Sequence, residues 1–182
     1  MESERPYWNM EMEPLLNTPQ MNQIQLEKLK RQLSKLKARA PYYARMMKKN
    51  RLDPEKLRGF DEFKDKMDIF TKASWRGLVD ECSGELMKAI DQRIGVSVDE
   101  LDWMATTTGT TGVPTPYPMT NRDLNEFWAE FEARGAWRAG VRPQDRILHC
   151  FALSMVIAGV TAAIGFQKIG ALLLPVGAEA KS

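Results

Sequence analysis

Residues 145–176, DRILHCFALSMVIAGVTAAIGFQKIGALLLPV, decide the fold class. "DRILHCF" is a short apolar run suited to a strand, and "SMVIAGVTAAIGFQKI" is long enough for a helix and apolar almost all round, with Gly170 placed to end it. "ALLLPV" then reads as a second strand. Strand, helix and strand in this order build a parallel pair joined by a crossover helix. The apolar run at 151–166 is interrupted by Ser154 and Thr161 and is shorter than the roughly 20 residues that cross a bilayer. It therefore reads as a buried helix, and no membrane partner is expected.

Immediately upstream, "NRDLNEFWAEFEARGAWRAG" is a helix capped by Thr120, with Asp123 favourable in its first turn and Gly140 at its end. Its spacing places Leu124, Phe127, Trp128, Phe131 and Trp137 on the buried side. Residues 101–105 and 115–119 read as strands, the second confined by its prolines to an edge or a hairpin. From Ile94 onward, "RIGVSVDELDWMA" carries isolated branched and aromatic residues that suit strands better than helices.

Earlier still the pattern is helical. Leu26, Leu29, Leu33 and Leu36 form one stripe of a helix over 19–39, and Pro41 starts a second helix whose apolar face is Tyr42, Tyr43, Met46 and Met47. Asp53 before Pro54 and Glu55 reads as an N-cap, and Phe60, Phe63 and Met67 continue the packing surface. Lys72 after Thr71 looks like a helix-start residue. The chain is thus read as a helical segment, 1–93, followed by an α/β segment, 94–182.

The 182 residues are 43% hydrophobic and 27% charged, as in an ordinary folded domain. The net charge of +2 does not argue for nucleic acid, and the basic residues between Lys28 and Arg58 alternate with leucines as a solvated helix face does. Cys82 and Cys150 lie far apart with no CxxC pair, so neither a zinc site nor a disulfide framework is expected. "MESERPYWNMEMEP" is acidic and aromatic where a signal peptide is basic and then apolar, and a cytoplasmic location follows. Tyr7 and Trp8 are expected to dock this arm on the core.

Between the two short strands lies "TTTGTTGVPT" (106–115). Glycines allow backbone N–H groups to converge on a phosphate, and threonine hydroxyls add donors. The loop matches neither G-x-x-x-x-G-K-[ST] nor G-x-G-x-x-G, and by composition alone it fits an ordinary turn as well as a phosphate cradle.

Its form does, however, resemble the phosphate-binding loop of the adenylate-forming ligases, in particular the S-S-G-T-T-G-x-P-T version of the phenylacetate–CoA ligase family. "MTNRDLNEFWAEFEARGAWRAGVRPQDRILHCF" is similar to that family's threonine–aspartate helix, turn and strand, and "GFQKIGALLLPVG" to its following step. Upstream, "YWNMEME", "IQLEKLKRQL", "APYYARMM" and "FTKASWR" resemble its helical segment. The likeness runs in order along nearly the whole chain. It implies an α/β nucleotide-binding subdomain with a mostly parallel sheet, here only its first part.

The activity implied is an ATP-dependent aryl–CoA ligase. A carboxylate, of aromatic type, attacks the α-phosphate of ATP to give an acyl adenylate and pyrophosphate, and coenzyme A then displaces AMP. By the same resemblance Thr107, Thr108, Gly109, Thr110, Thr111 and Gly112 wrap the β and γ phosphates, with Thr108, Thr110 and Thr111 as side-chain donors and Mg2+ sharing the charge without a protein ligand assigned here. Thr107 and Thr108 replace a serine pair, which stiffens χ1, and Val113 stands where many relatives carry lysine. Asp68 in "MDIFTK" stands where the family tends to have proline.

His149 is the only histidine; inside an apolar strand it reads as a core residue, with Phe151 beside it, although both could line the acyl pocket. Glu130, Glu132 and Asp145 fit no acid/base pairing. The family's Y-G-x-T-E stretch, ribose-binding aspartate, hinge and catalytic lysine have no counterpart here, so no catalytic residue is assigned and the isolated chain is expected to be inactive. A truncated sheet exposes apolar surface, which makes a homodimer an expectation. Two rival readings stay open: an adenylating enzyme for another acid or acceptor, and a non-catalytic phosphate-binding or assembly module.

Overall fold

The structure, a computed structural model, describes residues 6–107 and 115–177. They form two compact units, one made of Asn9–Glu100 and the other of the described parts of Met1–Trp8 and Leu101–Ser182.

The first unit is helical. Helix α1 (Pro19–Arg39) starts at Thr18, whose hydroxyl accepts the Met21 N–H at 3.2 Å, with Pro19 at the first helical position. Helix α2 (Pro41–Lys49) follows at once, because Pro41 supplies no N–H to continue α1. Leu33, Met47, Leu52 and Leu57 form a buried cluster, and Leu26, Leu29, Leu36, Tyr43, Phe63 and Met67 pack against it. The leucine stripe expected from spacing is this surface. After α3 (Phe60–Lys66), Thr71 begins α4 (Lys72–Glu81) with a reciprocal cap: its hydroxyl accepts the Ser74 N–H at 3.1 Å and its own N–H donates to the Ser74 hydroxyl at 3.2 Å. Helix α5 (Leu86–Asp91) follows, and Trp75, Leu78 and Ile90 are buried.

Two expectations fail in this unit. Asp53 makes no cap bond to the short 3-10 turn Pro54–Lys56; its carboxylate faces Lys37 at 3.5 Å and Lys56 at 4.0 Å instead. The strand-like residues after Ile94 form no strand before Trp103. Glu100 folds back to accept the Ser97 N–H at 2.7 Å, while its own N–H donates to the Ser97 carbonyl, and a 3-10 turn results over Val98–Glu100. Local side-chain bonding has outcompeted β propensity there.

The second unit is α/β. Strands β1 (Trp103–Thr106) and β2 (Pro116–Met119) form an antiparallel hairpin with Trp103 opposite Met119 and Thr106 opposite Pro116. Thr120 caps the next helix: the Asp123 N–H reaches its hydroxyl at 3.2 Å, and the Asp123 carboxylate accepts the Thr120 N–H at 3.0 Å. That helix opens as a π-helical segment, Asp123–Trp128, and continues as α6 (Ala129–Arg138). The wider turn changes which residues face inward. Ala129 and Ala133 are buried, whereas Phe127 and Phe131, expected inside, are exposed. With Tyr117 and Trp128 they form an edge-to-face and stacked aromatic group on the surface.

Strand β3 (Arg146–His149), helix α7 (Ile157–Ile169) and strand β4 (Leu172–Pro175) make the expected crossover, with β3 and β4 parallel and Leu148 opposite Leu174. Gly170 ends α7 at φ +92°, a conformation a side chain would strain. Helices α6 and α7 meet at Gly165, where a Cβ would collide with the Glu132 side chain, so only glycine permits this separation. On the pair's open face Leu148, Leu172 and Leu174 remain exposed.

Candidate functional site

The ends of β1, β3 and β4 converge around one segment, residues 150–156. Thr106 pairs with Val156 in a parallel bridge and its N–H donates to the Met155 carbonyl at 2.6 Å, which ties the hairpin to the stretch leading into α7. At the ends of the parallel pair, the His149 carbonyl accepts the N–H groups of Val176 and Gly177, each at 3.1 Å. This is the side of an open α/β sheet, outside the carboxyl ends of its strands, where ligands bind.

The Thr/Gly loop leaves from the same place. Thr107 is exposed, and its N–H closes on the Thr115 carbonyl at 3.1 Å, so the ladder of the hairpin holds both ends of the loop together. Thr108, Gly109, Thr110, Thr111, Gly112 and Val113 lie outside the described residues. On the C-terminal side, Asp102 accepts the Asn121 N–H at 2.6 Å, and with the Thr120–Asp123 cap this pins the start of the following helix beside the hairpin.

His149 is buried, and its Nε2 lies 2.9 Å from the Gly159 carbonyl. A carbonyl only accepts, so Nε2 carries the proton. The ring stacks near Phe151 and meets Phe166 edge-on, with both centroids at 6.2 Å. Gly159 is held tightly, since a Cβ there would strike the Ala152 carbonyl. His149 is therefore a positioning residue: it clamps the first turn of α7 to the end of β3. Phe151 is different, being 58% exposed beside Leu153 and Met155, which are also half exposed. These two apolar neighbours carry no separate signal in the sequence because they sit inside a run that reads as uniformly buried.

Carboxylates add no acid/base pair here. Glu130 is bonded to Arg134 at 2.9 Å and Lys168 at 3.4 Å, Glu132 accepts the Thr161 hydroxyl at 3.3 Å, and Asp145 accepts the Arg142 N–H at 2.7 Å. Among the described residues no group of three His, Cys, Asp or Glu side chains could hold a metal ion. No described helix is long and apolar enough to cross a membrane.

The chain resembles known proteins in sequence and in fold. The chain is 29% identical over 153 residues to phenylacetate-coenzyme A ligase of Thermus thermophilus, covering 84% of the chain and 32% of that protein. It is 30% identical over 80 residues to the Escherichia coli protein of the same name, covering 44% of the chain and 18% of the relative. No protein-family profile matches. Among solved structures, 2-hydroxyisobutyryl-CoA ligase in an open conformation with 2-HIB-AMP and CoA superposes with a TM-score of 0.78 at 20% identity, over 92% of this chain and 37% of that one. The same ligase in its postadenylation state superposes with a TM-score of 0.79 at 19% identity, over 100% of this chain and 38% of that one. The chain spans about a third of the length of the Thermus protein and of the solved ligase. The chain is thus similar in sequence to part of two phenylacetate-coenzyme A ligases and has the fold of the corresponding part of a solved CoA ligase.

Proposed function

We propose that the chain supplies the pyrophosphate-holding part of an ATP-dependent acyl–CoA ligase, a protein that converts a carboxylate and ATP to an acyl adenylate and then to a CoA thioester. The supporting observation is the position of the Thr/Gly loop: a hairpin ladder grips both its ends at the carboxyl edge of the sheet, next to an exposed apolar segment. In this reading Thr107, Thr108, Gly109, Thr110, Thr111 and Gly112 surround the β and γ phosphates, and the hydroxyls and N–H groups stabilise charge on the departing pyrophosphate. Magnesium accompanies the nucleotide's phosphates and receives no protein ligand in this assignment. Phe151, backed by His149, forms one wall of the acyl pocket.

An aromatic acid is the primary substrate class, on the strength of the two phenylacetate-coenzyme A ligase relatives. A second reading, a ligase for another acid, is favoured by the 2-hydroxyisobutyryl-CoA ligase neighbours. Residues 1–93 serve as the helical lead-in and 94–182 as the beginning of the AMP-binding subdomain. The free thiols of Cys82 and Cys150 suit a cytoplasmic protein, and the exposed aromatics around Phe127 and Phe131 suit self-association as a homodimer.

The test is an ATP-dependent CoA-ligation screen over aromatic and short hydroxy acids, using a protein of the relatives' full length that contains this chain. Replacing Thr110 or Thr111 by Ala should each lower kcat/KM by roughly tenfold to a hundredfold, the value of one hydrogen bond to a charged group. Unchanged turnover in both variants refutes the loop's role. The 182-residue chain alone is expected to release no pyrophosphate with ATP and phenylacetate.

A further inference from the structure

Helix α1 packs one side on the core and turns a strongly charged side outward. It carries six lysines and arginines and a single carboxylate, Glu27, which Lys30 takes at 3.2 Å; Lys37 faces Asp53 at 3.5 Å. The other four, Lys28, Arg31, Lys35 and Arg39, are exposed and form no ion pair with a described residue. Spaced by three, four and four residues, they make one stripe roughly 16 Å long on the side away from the buried Leu33. Like charges at these spacings repel, so negative charge brought from outside the helix stabilises it.

The same helical unit has a surface of the opposite sign. A cleft of about 640 Å³ lies at the end of α4, along α5 and against the turn Val98–Glu100, and Glu81, Glu85, Asp91 and Asp99 stand in its wall with one cation, Lys88. Lys88 is held by Glu85 at 2.6 Å, and Glu81 meets Arg45 at 3.7 Å. Asp91 and Asp99 are exposed and form no ion pair with a described residue. We propose that the α1 stripe of one copy docks in this cleft of a second copy of the chain.

Charge and shape favour this occupant. The stripe is convex and bears long side chains, whereas the cleft is concave and its unpaired groups are carboxylates, so each surface supplies what the other lacks. Two-fold pairing lets each copy give a stripe and receive one, which uses both patches twice and closes the assembly at a dimer. A nucleic acid would meet the stripe but leave the acidic cleft unpaired and be repelled by it. The inference rests on the homodimer reading and gives the contact to the helical unit instead of the aromatic group at Phe127 and Phe131; it is independent of the Thr/Gly loop. The two surfaces differ in their response to salt, which screens exposed ion pairs but does not weaken an apolar contact.

Sedimentation equilibrium of the 182-residue chain tests it, in about 50 mM and about 500 mM sodium chloride. A dimer with a Kd of about 0.1 mM or below is expected at low salt, weakened about tenfold or more at high salt. The double variant Arg31→Glu with Lys35→Glu, and separately Asp91→Lys with Asp99→Lys, should each weaken self-association by about tenfold or more, because like charges then face each other. An equimolar mixture of the two double variants should associate again, since a reversed stripe meets a reversed cleft, and unfolded chains would not recover in this way. A dimer that ignores both double variants overturns the stripe and cleft while leaving a homodimer through another surface, and a chain that stays monomeric at low salt overturns both. Loss of the dimer in each variant without recovery in the mixture, or binding of an RNA oligonucleotide by a chain that does not self-associate, also overturns it.

Discussion

Replacing His149 by Phe isolates the bond that clamps α7 to β3. Phenylalanine keeps a flat ring between Phe151 and Phe166 but cannot donate to the Gly159 carbonyl, now held at 2.9 Å. Gly159 lies inside α7, so its carbonyl keeps the helical bond that the position provides, and the loss is one hydrogen bond rather than a fully orphaned acceptor. That is worth about 1 kcal/mol, the usual net value of such a bond. For a chain of this length it corresponds to a fall in Tm of about 2 to 4 °C. Urea denaturation followed by far-UV circular dichroism, on the chain and on H149F and H149Q, measures it. Gln can still donate from its amide, so H149Q should retain part of the bond's contribution while giving up the ring contacts. Wild-type stability in H149F would show that the bond holds nothing, and a loss above about 3 kcal/mol would mean that the ring itself does not fit.

Other perturbations probe different levels of the structure. Gly165→Val should cost about 1 to 3 kcal/mol, because a side chain there collides with Glu132 where α6 and α7 touch; an unchanged denaturation midpoint would contradict that packing. Thr71→Ala removes one half of the α4 cap and should lower stability by about 1 kcal/mol, while Ser74→Ala, which removes the other half, should lose less; equal wild-type midpoints in both variants would deny the cap. The Glu62 carboxyl is held down from 4.5 to about 2 by the Lys66 ammonium and by the backbone and guanidinium N–H groups of Arg58. A carboxyl depressed on folding stabilises above its unfolded value, so this contribution is present near neutrality and fades as pH falls from 4.5 toward 2. Glu62→Gln should therefore narrow the stability difference between neutral and acidic buffers, and an identical pH profile would show that the carboxylate contributes nothing.

Much of the fold is legible in the sequence, because local chemistry decides it. The leucines of α1, the Thr71 and Thr120 starts, the Gly140 and Gly170 ends and the β3–α7–β4 crossover all rest on interactions spanning a few residues or on one run of alternating elements. The Thr/Gly loop is legible for the same reason, as a short stretch whose residue types have few uses together. Where the reading fails, a competing contact lies out of view. Asp53 has lysines to choose over its own helix, and Glu100 takes the Ser97 N–H in a region whose residues favour strand.

Other features belong to the tertiary structure alone. Helical spacing at about 3.6 residues per turn puts Phe127 and Phe131 inside, and a π-helical segment turns them out; nothing in "DLNEFW" announces the wider turn. His149 can be read as buried, but its role depends on Gly159 approaching from the far side of a loop. The edge contact of Tyr7 with Trp137 likewise joins residues more than a hundred positions apart, whose proximity arises when the arm and the α6 end are brought together. By itself the sequence determined elements and loop chemistry, since these depend on neighbours along the chain. Exposure, clamping and convergence were decided by packing, because each needs a partner that only folding supplies.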